Sequence, residues 1–95
     1  MKFIIYSRDK EGAVDIRKAN REAHLAFLKI PSNVELLSAG PWLDDAAQTM
    51  IGSLLIVEAE TLADVKTWLV NDPYAKAGLP DSVNIHPFIW AIGAP

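Results

Sequence analysis

The sequence has 95 residues, of which 51% are hydrophobic, with no cysteine and a formal net charge of −3. This length predicts one domain over residues 1–95, and the missing cysteines exclude disulfides and thiolate metal sites. The scattered basic residues and the lack of an 18-residue apolar run argue against nucleic-acid binding and a membrane span. The apolar start of the chain is too short for a signal peptide, so we expect a cytoplasmic protein.

The first two predicted elements are a strand and a long helix. Residues 2–7 (KFIIYS) are rich in β-forming side chains and predict strand one. Between residues 13 and 30, apolar side chains recur at three- and four-residue spacing, which predicts a helix that buries one face. The residues of this predicted face are Ile16, Ala19, Ala23, Ala26, Phe27 and Ile30. Pro31 ends the helix because it cannot continue the hydrogen-bond ladder.

The middle of the chain predicts two strands and a second helix. Residues 33–40 (NVELLSAG) and 50–59 (MIGSLLIVEA) predict strands two and three, joined by a loop over 41–49. Thr61, with Asp64 three residues later, predicts the N-terminus of helix two.

The segment NDPYAKAGLP, residues 71–80, predicts a short helix. Asp72 is a favourable N-cap, because its carboxylate accepts from backbone amides two or three residues on, and a proline at the first helical position needs no amide hydrogen. Gly78 ends this helix and Pro80 prevents its continuation. Residues 82–93 (SVNIHPFIWAIG) predict the last strand.

The order β-α-β-β-α-β predicts an α+β fold of the ferredoxin-like type, a four-stranded antiparallel sheet with two helices on one face. Strands with one solvated face alternate apolar and polar residues, but strands one, three and four carry apolar residues on both faces. Two helices cover only one face, so we expect a homodimer in which a second copy covers the other. A few solvated apolar side chains are the alternative.

The candidate catalytic residue of the first helix is His24. It lies about 100° from Ala23 around the helix, at the rim of the predicted buried face, on the same side as Arg17 and one turn after Arg21. A half-buried imidazole is suited to general acid–base catalysis near neutral pH, and a solvated surface histidine is the alternative. A carboxylate partner would orient the ring, and in this fold the end of helix two brings Asp72 towards helix one.

Four other side chains are candidates for a substrate pocket. Arg17 and Arg21 are suited to hold an anionic substrate group, and the hydroxyls of Ser53 and Tyr74 are suited to line the pocket. Each has a structural alternative: a solvated arginine, an inert strand serine or a tyrosine that only packs.

Strand two ends in a glycine–proline pair followed by an aromatic residue. Gly40 and Pro41 predict a tight exit from the strand, where the backbone can approach a ligand, with a simple turn as the alternative. Trp42 is expected to cover the pocket or to lie in the dimer contact. The second histidine, His86 before Pro87, has no expected function.

The segments REAHLAFL, LLSAGP, DPYAKAGL and VNIHPF together resemble the YCII-related family of small bacterial proteins over nearly the whole chain. The resemblance implies dimers related to the dimeric α+β barrels and a His–Asp pair at the active site. Carried over by motif, the pair is His24 and Asp72, with one carboxylate oxygen facing backbone amides and the other facing His24. The loop after AGP is short and acidic here, where relatives often carry a longer insert, so the resemblance transfers no substrate.

Two functional hypotheses follow. In the first, the protein is an enzyme in which His24, oriented by Asp72, moves a proton on a small cyclic or aromatic metabolite, with elimination or isomerisation as the outcome. The family includes an enzyme that dehydrochlorinates a chlorinated hydroxyhydroquinone, and no metal or organic cofactor is implied. In the second, the protein is a non-catalytic module that binds a small ligand or a partner protein through the same pocket.

Overall fold

The computed structural model describes residues 1–94. Four strands and three helices follow one another along this part of the chain. Their bounds are β1 Lys2–Asp9, α1 Val14–Leu28, β2 Glu35–Leu43, β3 Met50–Glu58, α2 Leu62–Leu69, α3 Pro73–Lys76 and β4 Pro80–Phe88. Among these residues no helix is both long and apolar enough to cross a membrane.

The strands form one antiparallel sheet in the order β2-β3-β1-β4. This order, with the helices on one face, confirms the ferredoxin-like α+β fold that the sequence predicts. We call the face beneath the helices the covered face and the other the open face. Ser53 of β3 lies opposite both Ser7 of β1 and Pro41 of β2, so these three residues form a row across the covered face, because opposed residues point to the same side.

The core of the covered face is apolar and joins the two central strands to α1 and α2. Phe3 and Ile5 of β1 and Leu55 and Val57 of β3 are buried there. The helices and the chain around them contribute Leu28, Val34, Val65 and Trp68. The predicted start of α2 is confirmed, because the hydroxyl of Thr61 accepts from the backbone amide of Asp64.

Strand β2 is longer than predicted, and the predicted tight exit at Gly40 and Pro41 is wrong. Both residues lie inside the strand, where Gly40 pairs with Leu54 and Pro41 with Ser53. The pairing of β2 with β3 continues to Leu43 because β3 offers hydrogen-bonding partners along this whole length. Pro41 is tolerated in the strand because β2 lies at the edge of the sheet.

The turn between β2 and β3 is built around Asp44. Its Oδ1 accepts from the backbone amides of Gln48 at 2.9 Å and Thr49 at 3.3 Å, and these hydrogen bonds lower the pKa of Asp44. Ala47, in the same turn, has a φ of 57°, a left-handed conformation that costs an alanine energy because of its Cβ atom.

The last strand is shorter than predicted. It ends at Phe88, which pairs with Lys2, the first residue of β1. Beyond this pair, β1 offers β4 no further residue for hydrogen bonding. Ile89 and Ile92 consequently lie outside the sheet, with exposed fractions of 84% and 91%. The apolar residues after Phe88 therefore do not contribute to either face of the sheet, although the sequence predicts that they do.

The predicted buried face of α1 is wrong except at Phe27, which is partly buried and packs against the core. Ile16 and Ile30 are exposed, and Ala23, the centre of the predicted face, is exposed as well. The helix instead buries Arg17 and His24. The reason is that both polar residues find buried partners elsewhere in the fold, whereas the alanine-rich side has little apolar area to bury.

On the open face, Trp42 lies flat on the sheet above Gly52. A Cβ atom at position 52 would collide with the indole and with the carbonyl oxygen of Ser7. The indole Nε1–H donates to that same carbonyl oxygen at 2.9 Å, and the ring stacks on Tyr6 with Arg8 nearby. Trp42 is therefore on the opposite side of the sheet from His24, and its predicted role as a cover for the pocket is wrong.

Candidate active site

His24 and Asp72 form a buried hydrogen-bonded pair between α1 and the start of α3. The distance between His24 Nδ1 and Asp72 Oδ1 is 2.8 Å, and the two residues are only 6% and 5% exposed. An ionised carboxylate only accepts hydrogen bonds, so Nδ1 carries the hydrogen. In the neutral imidazole this fixes the tautomer and leaves the lone pair on Nε2.

Asp72 also caps α3, as the sequence predicts. Its side chain accepts from the backbone amide of Tyr74 at 2.9 Å, and Pro73 stands in the first turn. The capping amide and His24 share one oxygen, Oδ1, whereas the expected arrangement gave one oxygen to each. The position of the catalytic candidate is therefore tied directly to the hydrogen bond that starts the short helix.

Tyr74 packs its ring on His24. The two ring centroids are 3.9 Å apart and the planes are within 12° of parallel. Burial raises the pKa of the Tyr74 phenol, and the positive charges of Arg17 and Arg21 only partly offset this effect. The phenol is therefore neutral at physiological pH, and its ring gives the imidazole a flat, fixed support.

Arg17 is buried in a charge-paired arrangement with Asp9. Its Nε donates to Asp9 Oδ2 at 2.8 Å and its Nη2 to Asp9 Oδ1 at 2.9 Å, with exposed fractions of 3% and 7%. Nη2 also donates to the hydroxyl of Ser53 at 2.7 Å, and the guanidinium lies 4.8 Å from the centre of the Tyr74 ring. Burial lowers the pKa of Arg17, but the hydrogen bonds and charge of Asp9 outweigh this and hold it above the ordinary value.

Asp9 is the residue that sequence reasoning missed. The signal lies in β1, where every second side chain points to the same face. On the covered face these residues are Phe3, Ile5, Ser7 and Asp9. The sequence predicts that β1 ends at Ser7, whereas the strand runs to Asp9, the carboxylate that pairs with Arg17.

Two adjoining cavities meet at this cluster, and His24, Ser53, Leu55 and Tyr74 line both. The β4-side cavity, bounded also by Asp72 and Val83, has a volume of about 60 Å³, and the β2-side cavity has about 170 Å³. The β2-side cavity is completed by residues that include Arg17, Arg21, Gly40 and Pro41. The structure thus brings every predicted pocket residue except Trp42 to one or both cavities.

Two other polar residues differ in their position: His86 lies away from this cluster, whereas Arg21 lies at its edge. His86 is exposed on the open face, opposite Ile4. Arg21 is itself exposed and borders the β2-side cavity. Within residues 1–94 there is no group of three His, Cys, Asp or Glu side chains that could hold a metal ion.

The fold and the cluster define a small α+β protein of ferredoxin-like topology with a His–Asp pair buried between its helices and sheet. Residues 1–89 match the YCII-related domain, and the chain belongs to this family. The chain is similar to Protein YciI of Escherichia coli O6:H1, with 36% identity over 94 residues, which cover 93% of this chain and 96% of the relative. An uncharacterized protein of Haemophilus influenzae is similar to the same extent.

Among solved structures, the chain is similar to a dehydrochlorinase. This is the 5-chloro-2-hydroxyhydroquinone dehydrochlorinase TftG of Burkholderia phenoliruptrix AC1100, in complex with 2,5-dihydroxybenzoquinone. The two chains share 34% sequence identity, superpose with a TM-score of 0.82, and each is covered to 94%. The fold match therefore extends over nearly the whole of both chains, and that relative binds a six-membered ring.

Proposed function

We propose that this protein is an enzyme that uses His24 as a general acid–base catalyst on a small cyclic or aromatic compound. The observation that carries the proposal is the 2.8 Å contact between His24 Nδ1 and Asp72 Oδ1 in a residue that lines both cavities. This contact occupies Nδ1 and leaves Nε2 as the nitrogen for the proposed chemistry. An imidazole held in one tautomer by a buried carboxylate is an oriented base, because its lone pair has a fixed direction.

In the proposed reaction, Nε2 removes a proton from a ring carbon. The C–H bond breaks, an N–H bond forms, and the electron pair stays on the substrate. In an elimination this pair forms a double bond while the bond to the leaving group breaks, and the leaving group departs with the electron pair of that bond; the imidazolium then gives its proton to solvent. In an isomerisation the imidazolium returns the proton to another carbon. The charge of Asp72 and the face of the Tyr74 ring both stabilise the imidazolium while it exists.

The size and lining of the β2-side cavity support a substrate with a single ring. Its volume is about 170 Å³, and an apolar cavity of about 150 Å³ is enough to hold benzene. We propose that Arg21, at the exposed edge, binds an anionic substituent. Arg17 has its charge paired with Asp9, so its proposed role is to position Ser53 and Tyr74.

The similarity to the dehydrochlorinase supports elimination as the specific reaction within this proposal. Its name describes loss of chloride and a proton from a ring, and its ligand is a dihydroxybenzoquinone. The common fold, 34% identity and nearly complete coverage make ring compounds the first class of substrate to test.

The test is turnover of hydroxylated and halogenated aromatic compounds by the wild type and by His24→Gln. We expect the variant to lose about 10²- to 10⁴-fold in rate, the usual contribution of a positioned acid–base group. His86→Gln is the matched control, because this histidine lies on the open face, and it should keep full activity. If the wild type converts none of the compounds while binding them, the protein is a binding module and the proposal fails.

We further propose that the protein is a homodimer joined through the open face. The support is the apolar character of this face, where Tyr6 and Leu54 are exposed and Ile4 and Ile56 are partly exposed. Light scattering at micromolar concentration should give a mass near twice 10.4 kDa, and Leu54→Lys should lower it. A wild-type mass of one chain would refute this proposal.

A further inference from the structure

Ser53 makes a hydrogen bond that determines which way its own hydroxyl hydrogen points. The residue is 9% exposed and lines both cavities beside His24. Its Oγ accepts from Arg17 Nη2 at 2.7 Å. A guanidinium has donors only, so the hydroxyl hydrogen of Ser53 cannot point at Arg17 and must be directed elsewhere.

The arrangement around Ser53 is rigid and gives that hydrogen no partner among residues 1–94. Arg17 is fixed by two hydrogen bonds to buried Asp9, and Ser53 lies in the middle of β3, paired on both sides. Within residues 1–94 the Oγ of Ser53 makes only the hydrogen bond to Arg17. A buried donor without a partner costs energy unless a ligand or water accepts from it.

We propose that the Ser53 hydroxyl is the donor for a substrate oxygen that becomes negative when His24 removes the proton. This inference rests on the proposed function and adds a second catalytic residue to it. A donor that is aimed before reaction at the place where charge develops stabilises the transition state more than the ground state. Arg17 strengthens this donor, because a hydroxyl that accepts from a cation is polarised towards giving up its own hydrogen.

The inference narrows the class of substrate. The compound must carry a ring carbonyl conjugated with the saturated ring carbon that loses its proton, as in the keto form of a phenol. When the C–H bond breaks, its electron pair forms a carbon–carbon double bond, and the π pair of the carbonyl moves onto the oxygen. The oxygen thus becomes an enolate or phenolate, and the Ser53 hydroxyl donates its hydrogen bond to it. A ring without such an oxygen would present Ser53 with no acceptor.

Binding of 4-nitrophenol tests the inference without turnover, because its absorbance reports whether the bound phenol is ionised. In the wild type we expect the pKa of the bound phenol to fall by about one unit, the difference between a charged and a neutral acceptor. The shift should vanish in Ser53→Ala and persist in Ser53→Thr, which keeps the hydroxyl. Ser38→Ala, on the opposite face of the sheet, is the control and should match the wild type.

The same titration in His24→Gln separates the two proposals. The part of the shift that depends on Ser53 should remain when the base is gone. A wild type that shows this shift but converts no compound, or a His24→Gln variant that keeps full turnover, refutes only the proposed reaction or the role of His24. An equal shift in the wild type and Ser53→Ala, or no binding of nitrophenol to the wild type, overturns the role of Ser53. If Ser53→Ala does not fold, Ser53→Cys replaces it, since a thiol is a weaker donor, and an undiminished shift there refutes the inference as well.

Discussion

The substitution Asp72→Asn should keep the side-chain cap of α3 while it removes the negative charge beside His24. The amide oxygen of asparagine can stay where Oδ1 is, accepting from the Tyr74 amide and from His24 Nδ1. A flipped amide would point its NH₂ group at two donors and leave them unsatisfied, at about 1–3 kcal/mol for each. The shared oxygen therefore keeps the amide in one orientation, and with it the tautomer of His24.

The effect of the substitution then reduces to the loss of one negative charge. Asparagine caps helices about as well as aspartate, so the free energy of unfolding should change by less than about 1 kcal/mol. A hydrogen bond to an ionised partner contributes about 1.5–3 kcal/mol and a neutral one about 0.5–1.5. The difference, about 1–1.5 kcal/mol, acts on the imidazolium and corresponds to about a five- to tenfold loss in kcat/KM.

Three measurements together test this reasoning. Nitrogen NMR of the imidazole ring reports which nitrogen carries the hydrogen in the neutral form, a denaturant melt gives the stability, and turnover of an accepted ring compound gives kcat/KM. A switch of His24 to the Nε2–H tautomer would show that the shared oxygen does not hold the amide. A loss of stability above about 2 kcal/mol, or unchanged turnover, would refute the separation of cap and charge.

Three further changes have expected outcomes. Asp9→Asn should destabilise the fold by about 3 kcal/mol in a denaturant melt, because it leaves buried Arg17 without its counter-charge; a loss below about 1 kcal/mol would mean that Arg17 moves into solvent. Burial holds the pKa of Tyr74 above that of the unfolded chain, so between about pH 10 and the folded value the native state keeps a proton that the unfolded state has lost. Stability should therefore fall as pH rises through this range, and a pH series of melts on Tyr74→Phe should lack that part of the fall. Ala47→Gly should stabilise the protein by about 0.5–1 kcal/mol, since φ is positive there, and no gain in melting temperature would contradict this.

The order of elements was predictable because local signals mark each of them. Pro31 and the cap at Thr61 fix where helices end or begin, and the cap of α3 at Asp72 depends only on the following residues. Strand ends were less predictable, because a ladder continues for as long as its neighbour offers partners. For that reason β2 runs through Pro41, and β4 stops where β1 begins.

The candidate site was predictable as a set of residues but not as a geometry. Periodicity alone placed the alanine-rich side of α1 inwards, because it counts apolar residues and does not see the partners of polar ones. Arg17 and His24 are buried because they form hydrogen bonds with Asp9 and Asp72, which belong to other elements of the fold. Asp72 is 48 residues from His24, and Asp9 lies in a strand, so the periodicity of α1 contains no sign of either contact. The sharing of one oxygen between a cap and a histidine likewise depends on the tertiary fold.

The contact between Trp42 and Gly52 restricts how this sequence can evolve. While position 42 carries an indole on the sheet, position 52 is closed to every side chain, because even one carbon atom meets the ring and the Ser7 carbonyl. The indole in turn depends on that carbonyl for its hydrogen bond. Among related chains with this sheet, glycine should therefore remain at position 52 even where residue 42 is smaller than tryptophan, because the backbone carbonyl of Ser7 alone already excludes a Cβ atom there.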